Sequence, residues 1–165
     1  MPCKQSIRPA TIDDLLAIVD IAIPLQEAHA HGQPRRFRAG GRPFPEIYVS
    51  ELLESPVSEI LVSERDGVVT GFVILKVQDA PPIEILQPRR YVLVDTIAVA
   101  PKYRRQGIGR SLMEAAITWG RNNGAQDLEL GVAAFNTSAI AFYESLGFAT
   151  MHVRMTMPLK EDTTL

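Results

Sequence analysis

The sequence predicts a mixed α/β domain in which strands and helices follow one another in the order β-α-α-β-β-β-α-β-α-β. Three observations carry this prediction. Short β-rich runs are bounded by turn signals, and apolar residues recur at helical spacing between them. The length of 165 residues suits one domain, expected over 1–165, since a domain commonly spans roughly 100–200 residues.

Composition narrows the class of protein before any element is placed. Hydrophobic residues make up 46% of the chain and charged residues 22%, as in globular proteins. The net charge of −2 argues against a nucleic-acid-binding protein with a globally basic surface, and the single cysteine, Cys3, excludes an internal disulfide and a cysteine-rich zinc site. Residues 1–10 lack the apolar core of a secretory signal, and no apolar run is long enough to span a membrane. We therefore expect a cytoplasmic protein with no nucleic-acid or membrane partner.

The first half of the chain predicts a strand, two helices and a β-hairpin. Thr11 suits an N-cap, and the two acidic residues that follow Ile12 favour a helix start through the helix dipole. Apolar residues then recur at helical spacing as far as Ile23, and Pro24 is expected to kink or end this helix. The predicted elements are a strand over 4–8, a helix from 12, a loop over 32–45, a helix over 46–54, and strands over 60–65 and 68–77 joined by the Asp66-Gly67 turn.

The second half predicts two strand–helix units and a final strand. Helical spacing resumes near Gly107 and stops at Asn123-Gly124, which suits a left-handed cap. Asn136 and Gly147 are the cap residues expected at the two ends of the last helix. The predicted elements are a strand over 91–99, a helix over 107–123, a strand over 127–132, a helix over 136–147 and a strand over 148–158.

The residues suited to chemistry are concentrated where the strand over 91–99 runs into the following helix. The stretch 104–111 reads RRQGIGRS and holds two glycines and three arginines. The first backbone N–H groups of a helix have no partners within it and bind phosphate readily, and arginine adds cationic donors. The spacing does not fit the P-loop, which requires a lysine after its glycine, or the Rossmann fingerprint, which requires a third glycine. The residues alone leave two interpretations open, a phosphate site and an ordinary strand–turn–helix with surface arginines.

Two motifs resemble those of the GCN5-related N-acetyltransferases, the GNAT superfamily. Residues 104–109, RRQGIG, resemble its pyrophosphate loop, R/Q-x-x-G-x-G/A. Residues 136–148, NTSAIAFYESLGF, resemble its second motif, N-x-x-A-x-x-x-Y-x-x-x-G-F. The motifs stand in the family's order and separation, and the order of elements also fits, so the resemblance spans nearly the whole chain. It implies a mixed, mostly antiparallel sheet flanked by helices, and an acetyltransferase that uses acetyl-CoA as donor and no metal.

The resemblance also implies how acetyl-CoA is held. In the family the strand before the loop pairs with the pantetheine arm through main-chain groups, and the loop amides hold the pyrophosphate. The sheet splays apart between this strand and the next one, 127–132, and the cofactor lies in the split. Asn136 is a good N-cap by type, and in similar proteins it also hydrogen-bonds the cofactor arm. The implied cofactor-binding residues are Ile97, Ala98, Val99, Arg104, Arg105, Gln106, Gly107, Ile108, Gly109, Arg110, Ser111, Asn136, Phe142 and Tyr143.

Two catalytic residues follow from the same resemblance. The family's tyrosine at the position of Tyr143 protonates the departing CoA thiolate; the alternative is a core aromatic residue. Some members carry a glutamate base on the strand before the loop, where this chain has Leu93. Asp95 lies two residues later, on the same face by strand alternation, and is expected to be partly buried with a raised pKa. It is interpreted as a base or substrate contact, with a buried structural acid as the alternative.

Other groups stay open as the base. Glu84 lies in the predicted loop over 79–88, and His29 and His31 lie near the end of the first predicted helix, where they are equally well explained as surface histidines. A water chain without a dedicated base is a further alternative. The arginines at 35, 36, 38, 42, 89 and 90 are interpreted either as an attraction for an acidic acceptor or as solvated loop residues.

The acceptor is expected to be a primary amine of a small molecule, peptide or protein that attacks the thioester directly in a ternary complex. Residues 143–148 resemble the ribosomal-protein N-terminal acetyltransferases, but Gly131 stands where those enzymes carry a glutamate. This departure weakens a protein N-terminus as acceptor without excluding it. The alternatives are a non-catalytic acetyl-CoA-binding sensor or interaction module, and an acyltransferase that uses another acyl-CoA. The apolar alternation of Met151, Val153, Met155 and Met157 fits either a homodimer contact or a core face.

Overall fold

A computed structural model describes residues 5–159, which form two compact units, 5–133 and 134–159. Cys3 and the first residue of the predicted strand over 4–8 lie outside the described residues. Each unit is described by itself, and one domain over 1–165 stays a prediction. Within the described residues no helix combines the length and the apolar character needed to cross a membrane.

The first unit is built on a five-stranded sheet in the order β1-β2-β3-β4-β5. The first four strands pair antiparallel with their neighbours, and β5 pairs parallel with β4, so the sheet is mixed and mostly antiparallel as predicted. The strands are β1 (Gln5–Pro9), β2 (Ser58–Arg65), β3 (Val68–Asp79), β4 (Arg90–Val99) and β5 (Asp127–Leu130). The helices of this unit are α1 (Leu15–Gly32), α2 (Glu46–Glu54) and α3 (Ile108–Asn122), with 3-10 turns at Ile12–Asp14 and Pro101–Tyr103.

One face of the sheet packs against α1 and α2. Side chains of alternate strand positions point to the same face, which places Phe72 and Ile74 of β3 beneath these helices. Ile18 of α1 and Val49 of α2 are fully buried in the same cluster. Burial of these apolar side chains is the main contribution that holds the two helices on the sheet.

The opposite face packs against α3, which carries its buried residues on one side. At Gly71 of β3 an added Cβ would stand 2.9 Å from the carbonyl oxygen of Ala98 in β4, and 3.2 Å and 3.3 Å from the side chains of Leu112 and Ile108 in α3. The absence of a side chain at Gly71 therefore lets the first turns of α3 approach β3 and β4. This contact fixes where the N-terminus of α3 begins relative to the end of β4.

Helix α1 continues past Pro24 to Gly32, so of the two outcomes expected at Pro24, a kink or an end, the end is wrong. Proline removes one backbone N–H and leaves the carbonyl four residues earlier without its helical partner. That carbonyl belongs to Asp20, an exposed residue, where water can hydrate it. Ala30, which follows the proline, is buried, so burial favours continuation of the helix beyond it.

The second unit contains α4 (Thr137–Ser145) and an extended segment. The final strand predicted over 148–158 is wrong for the described residues, because residues 148–158 have no regular structure. Of the two interpretations of the alternation, the core face is wrong for the described residues, because the apolar side chains are 66–89% exposed, and the homodimer contact stays a prediction. Without burial or ladder hydrogen bonds, nothing in the described residues offsets the entropy of an ordered strand. The exposed side chains are Met151, Val153, Met155 and Met157.

Candidate active site

The pairing of β4 with β5 stops halfway along β4. Tyr91 to Val94 pair with Asp127 to Leu130, and Val94 with Leu130 is the last pair. On its other edge β4 continues to pair with β3 as far as Val99 opposite Gly71. Among residues 5–159, none pairs with the β5-side edge of β4 beyond Val94. This edge of β4 is therefore unpaired beyond Val94 within residues 5–159, and the split of the sheet that the resemblance implies, with the cofactor contacts of Ile97, Ala98 and Val99, stays a prediction.

A β-bulge lies in β4 directly after Val94, where its pairing with β5 stops. Thr96 pairs with Ile74 and Val94 pairs with Leu75, so Asp95 is an extra residue without a partner in β3. A bulge re-aims the side chains around it, and bulges are frequent beside active sites. The Asp95 side chain is 26% exposed, so it is partly buried as expected, and it makes an ion pair with Lys76, with Nζ 2.9 Å from Oδ1.

The segment between β4 and α3 folds back twice. Arg105 has φ +62° and Gly107 has φ +82°, so two of three consecutive residues are left-handed. Alternating hands in successive residues turns backbone N–H groups toward one concave side, a geometry that binds anions. The Arg104 Nε donates to the carbonyl of Val99 at 3.1 Å, and Gln106 links the Lys102 carbonyl to Arg65. These bonds hold the segment in its bent form.

Gly107 is the N-cap of α3, and the first helical bond runs from the Ser111 N–H to the Gly107 carbonyl at 3.0 Å. The N–H groups of the first turn, which begins at Ile108 and Gly109, have no acceptor within the helix and lie at its positive end. A Cβ added at Gly107 would meet nothing within 4 Å, so there is open space beside this glycine. Amide donors at a helix N-terminus and room at the glycine suit a phosphate group, and contacts of Arg105 and Arg110 with a pyrophosphate stay predictions.

In the second unit, two residues of the second motif, Asn136 and Gly147, form the caps at the two ends of α4. The Asn136 side-chain oxygen accepts from the Ala139 N–H at 3.2 Å, which is an N-cap contact. Beyond the helix, Gly147 has φ +95°, and its N–H donates to the Glu144 carbonyl at 3.0 Å. The Phe148 N–H reaches back to the Tyr143 carbonyl at 3.1 Å, which completes a Schellman motif. The capping role of Asn136 is thus present, and its contact with the cofactor stays a prediction.

Tyr143 lies in an aromatic setting within its own unit. Its ring centroid is 5.3 Å from that of Phe142 and 5.8 Å from that of Phe148. Burial raises the pKa of the Tyr143 phenol above its ordinary value of 10.0. The hydroxyl therefore carries its proton at neutral pH, as a proton donor must.

The other candidate bases lie in other elements than Asp95: Glu84 in the connection between β3 and β4, and His29 and His31 in α1. Glu84 is exposed in the connection between β3 and β4. His29 stacks on Phe37, with ring centroids 5.2 Å apart, and burial together with the charge of Arg36 lowers its pKa. His31 is an exposed residue at the end of α1.

The arginines before and within β4 are engaged in ion pairs on the sheet. The Arg89 guanidinium lies 2.6 Å from Glu129 and over the ring of Tyr91, 4.6 Å from its centroid. Arg90 pairs with Asp79 at 2.8 Å. These contacts favour a structural interpretation of both arginines. Among the described residues, no group of three or more histidine, cysteine or acidic side chains could hold a metal ion.

Two residues beside Asp95 were missed by the sequence interpretation. The Tyr48 hydroxyl donates to Asp95 Oδ2 at 3.2 Å, and Lys76 Nζ donates to the Tyr48 oxygen at 3.0 Å. The sequence alone assigns Tyr48 no role in the site. A signal for Lys76 was available, because it is a charged residue that shares its strand face with Phe72 and Ile74.

A family model described as "Acetyltransferase (GNAT) family" matches residues 26–148. The [ribosomal protein bS18]-alanine N-acetyltransferase of Escherichia coli (strain K12) is 50% identical over 58 residues, which are 35% of this chain and 39% of that protein. The chain thus matches about two fifths of the length of this relative. The uncharacterized N-acetyltransferase YhfO of Bacillus subtilis (strain 168) is 26% identical over 160 residues, which are 94% of this chain and 100% of that protein.

Solved structures share the fold. The F44R mutant of the BH1408 protein from Bacillus halodurans superposes with a TM-score of 0.91 at 27% identity, covering 94% of this chain and 99% of that one. The aminoglycoside N-acetyltransferase AAC(6')-Iy in complex with CoA superposes with a TM-score of 0.70 at 18% identity, covering 96% of each chain. The second likeness bears on the fold alone.

Proposed function

Because the chain belongs to the acetyltransferase (GNAT) family, we propose that it is an N-acetyltransferase that moves an acetyl group from acetyl-CoA to a primary amine. The observation that carries the proposal is the free edge of β4 beyond Val94, which leads directly into the bent segment at Arg105 and Gly107. An extended ligand arm with amide groups can pair with such an edge, and a pyrophosphate can rest on the cradle that follows.

The proposed placement assigns each part of acetyl-CoA to residues of the first unit. Main-chain groups of Ile97, Ala98 and Val99 would pair with the pantetheine arm. Backbone amides of residues 105–110, with Arg104, Arg105, Arg110 and the Ser111 hydroxyl, would hold the pyrophosphate. The arm would then run along β4 from the loop toward the bulge, which brings its far end to the vicinity of Asp95. Asn136 and Phe142 are proposed as further contacts.

Acetyl-CoA supplies the acetyl group as a thioester: the acceptor nitrogen bonds to the carbonyl carbon, the carbon–sulfur bond breaks and its electron pair leaves with sulfur. We assign Tyr143 as the acid whose Oη proton passes to the leaving sulfur, which makes sulfur a better leaving group. The proton lost by the acceptor nitrogen passes to Asp95, to a histidine, to Glu84 or to water. Holding donor and acceptor together in a ternary complex contributes about 7–11 kcal/mol to lowering the barrier.

The proposed acceptor class is a primary amine, and one relative gives a direction for a search. The E. coli relative is named for the alanine N-terminus of ribosomal protein bS18. Gly131 occupies the position where our alignment expects the glutamate of such enzymes, so this chain departs from them there. The partner is accordingly proposed as the amine of a small molecule, peptide or protein. A cytoplasmic location and a homodimer stay predictions.

A thiol-release assay tests the proposal. The chain is incubated with acetyl-CoA and a panel of amines (N-terminal peptides, aminoglycosides, polyamines and amino acids), and products are identified by mass spectrometry. Acetylation of any primary amine above the no-enzyme rate is the expected result. Binding of acetyl-CoA without transfer to any of them would favour a sensor module, and faster transfer from propionyl- or succinyl-CoA would favour another acyl donor.

A further inference from the structure

Three polar side chains from three elements meet on the α1/α2 face of the sheet beside the free edge of β4. Lys76 Nζ of β3 lies 2.9 Å from Asp95 Oδ1 of β4 and 3.0 Å from the hydroxyl of Tyr48 of α2. The Tyr48 hydroxyl donates to the second Asp95 oxygen at 3.2 Å. The ammonium also lies over the Tyr48 ring, 5.3 Å from its centroid. One ammonium group is therefore held by a carboxylate, a phenol oxygen and an aromatic face.

The two groups that hold the ammonium are fixed, whereas the ammonium is on a flexible stem. The Tyr48 ring stacks on Phe44 with centroids 5.9 Å apart, and Phe44 packs edge-on against the buried Phe72 at 5.9 Å. Asp95 is placed by the bulge in β4. Lysine carries four rotatable carbons and a compact charge, and the Lys76 side chain is 27% exposed, so it can move out toward solvent.

The charge on Lys76 is stable in this setting. Partial burial alone would lower its pKa, but the hydrogen bonds to Tyr48 and Asp95 and the charge of Asp95 exceed that effect, and the pKa of Lys76 is raised. The group held by Asp95 and Tyr48 is thus a protonated primary amine at neutral pH. The proposed acceptor has this same chemical group before it is deprotonated.

The position of the cluster suits the acceptor. Asp95 lies two residues before Ile97 in β4, which corresponds to about 6.6 Å along a strand. Ile97 begins the edge that we assign to the pantetheine arm, whose far end carries the thioester. A primary amine held at Asp95 would therefore lie near the end of that arm.

We infer that Asp95 and Tyr48 form the binding site for the primary ammonium of the acceptor, and that Lys76 occupies this site when no acceptor is bound. This inference rests on the proposed function. An acceptor ammonium has to displace Lys76 Nζ, so the apparent affinity is reduced by the fraction of molecules in which the site is open. A permanent structural ion pair, in contrast, would exclude an external amine.

Binding of a simple amine tests the inference without any transfer reaction. We would titrate n-propylammonium, observed by NMR chemical shifts, into the wild-type chain and into Lys76→Met, Lys76→Met/Asp95→Asn and Arg121→Met variants. Arg121 is exposed at the end of α3, and its substitution removes the same charge away from the cluster. Tetramethylammonium serves as a cation that cannot donate N–H hydrogen bonds.

The expected result is at least about tenfold tighter binding of n-propylammonium by Lys76→Met than by the wild type, with no gain in Arg121→Met. The gain should disappear in Lys76→Met/Asp95→Asn and should be absent for tetramethylammonium. Equal affinities of wild type and Lys76→Met, or an unchanged gain without Asp95, would overturn the inference. Lys76→Gln, which keeps an N–H donor without a charge, gives the same comparison if the methionine variant does not fold.

Failure of this inference and failure of the proposed function give different results. Amine titration reports on Asp95 and Tyr48 in the absence of acetyl-CoA. Transfer assays with the wild type report on the function. An active enzyme whose Lys76→Met variant gains no amine affinity would retain the function and refute the site. A chain that binds the amine at this site but acetylates no amine would retain the site and refute the proposed function.

Discussion

The backbone N–H of Phe148 donates to the carbonyl of Tyr143 across 3.1 Å, and the rings of the two residues lie 5.8 Å apart, edge to face. Gly147 makes this return possible because it adopts φ +95°, which places Phe148 back against the last turn of α4. Gly147 and Phe148 of the second motif thus hold the residue that we assign as the acid.

Gly147→Ala should lower the free energy of unfolding by about 1–2 kcal/mol, because a Cβ is strained at positive φ. It should also lower acetyl transfer, since the tie between Phe148 and Tyr143 is loosened. Urea unfolding and steady-state rates measure the two effects. Gly41→Ala is the matched control, because Gly41 lacks a positive φ and its added Cβ would make only a 3.8 Å contact with the Arg38 carbonyl. A Gly147→Ala variant as stable and active as Gly41→Ala would refute the role of the cap.

Tyr143→Phe should reduce kcat by about 10²–10⁴-fold and leave the stabilisation by acetyl-CoA unchanged, because only the transferable proton is removed. Since burial raises the pKa of Tyr143 above 10.0, the proton-bearing form persists to pH values above 10. Any loss of kcat below pH 10 should therefore come from the titration of another group. The absorbance change of tyrosinate, compared between wild type and variant, measures the titration; Tyr103→Phe controls for loss of a hydroxyl elsewhere. A Tyr143 titration below pH 10 would contradict this assignment.

Gly107→Ala, compared with Gly124→Ala, separates the loss of pyrophosphate binding from the cost of backbone strain. Gly107 and Gly124 have φ of +82° and +73°, and an added Cβ meets nothing within 4 Å at either position. Both alanine variants should therefore lose about 1–2 kcal/mol of stability. Only Gly107→Ala should also lose the thermal stabilisation by acetyl-CoA, because its methyl group would enter the space assigned to the pyrophosphate. Equal ligand shifts in the two variants would place the pyrophosphate elsewhere.

Gly71→Ala tests the contact that positions α3. The added Cβ would stand 2.9 Å from the Ala98 carbonyl oxygen, a backbone atom that cannot move aside without shifting β4. We expect a loss of about 1–3 kcal/mol, typical of overpacking, measured by urea unfolding. Gly41→Ala again supplies the comparison, and a neutral effect of Gly71→Ala would contradict the close packing of β4 and α3 around Gly71.

The ion pair between Arg8 and Asp14 should give a pH-dependent stability. The Arg8 hydrogen bonds lower the pKa of the Asp14 carboxyl below its ordinary 3.8, at N–O distances of 2.8 and 2.9 Å. Because the folded-state pKa is the lower one, this stabilisation is present above about pH 4 and is lost as the pH falls through the lowered value. Arg8→Met should cost about 1–3 kcal/mol at pH 7 and progressively less at acid pH in urea titrations. A cost independent of pH would contradict the linkage.

Much of the fold could be predicted because its local signals agree with its packing. The Asp66-Gly67 turn lies between β2 and β3, Gly107 is the N-cap of α3, and Asn136 is the N-cap of α4. Each of these signals therefore marks a real boundary. Pro24 does not end α1, because a local breaker is outweighed by burial on either side of it, at Ala22 and Ala30.

The final strand could not be predicted correctly from its alternation of apolar residues. Periodicity states which side chains would share a face of a strand, but not whether a neighbour covers that face. In the described residues Met155 is 89% exposed, so the pattern lacks the burial that would make it a strand.

Only part of the candidate site could be predicted, because local motifs do not show which residues from distant elements meet. Motifs contiguous in sequence, such as 104–109, identified the loop. The cluster of Tyr48, Lys76 and Asp95 draws on three elements and on the bulge in β4, so its members come together only in the tertiary structure. Asp95 was found through its strand position, whereas its two partners were not.

Thermal unfolding of the wild-type chain with acetyl-CoA, CoA, ATP and NAD, each added separately, tests the central claim most directly. A ligand at a hundred times its dissociation constant adds about 2.7 kcal/mol, which corresponds to a rise of roughly 5–10 °C for a chain of this size. We predict that acetyl-CoA and CoA both raise the midpoint and that ATP and NAD do not. If neither CoA species raises it, the assignment of the β4 edge and the 104–111 loop to acetyl-CoA is contradicted, and the roles given to Tyr143 and Asp95 lose their basis.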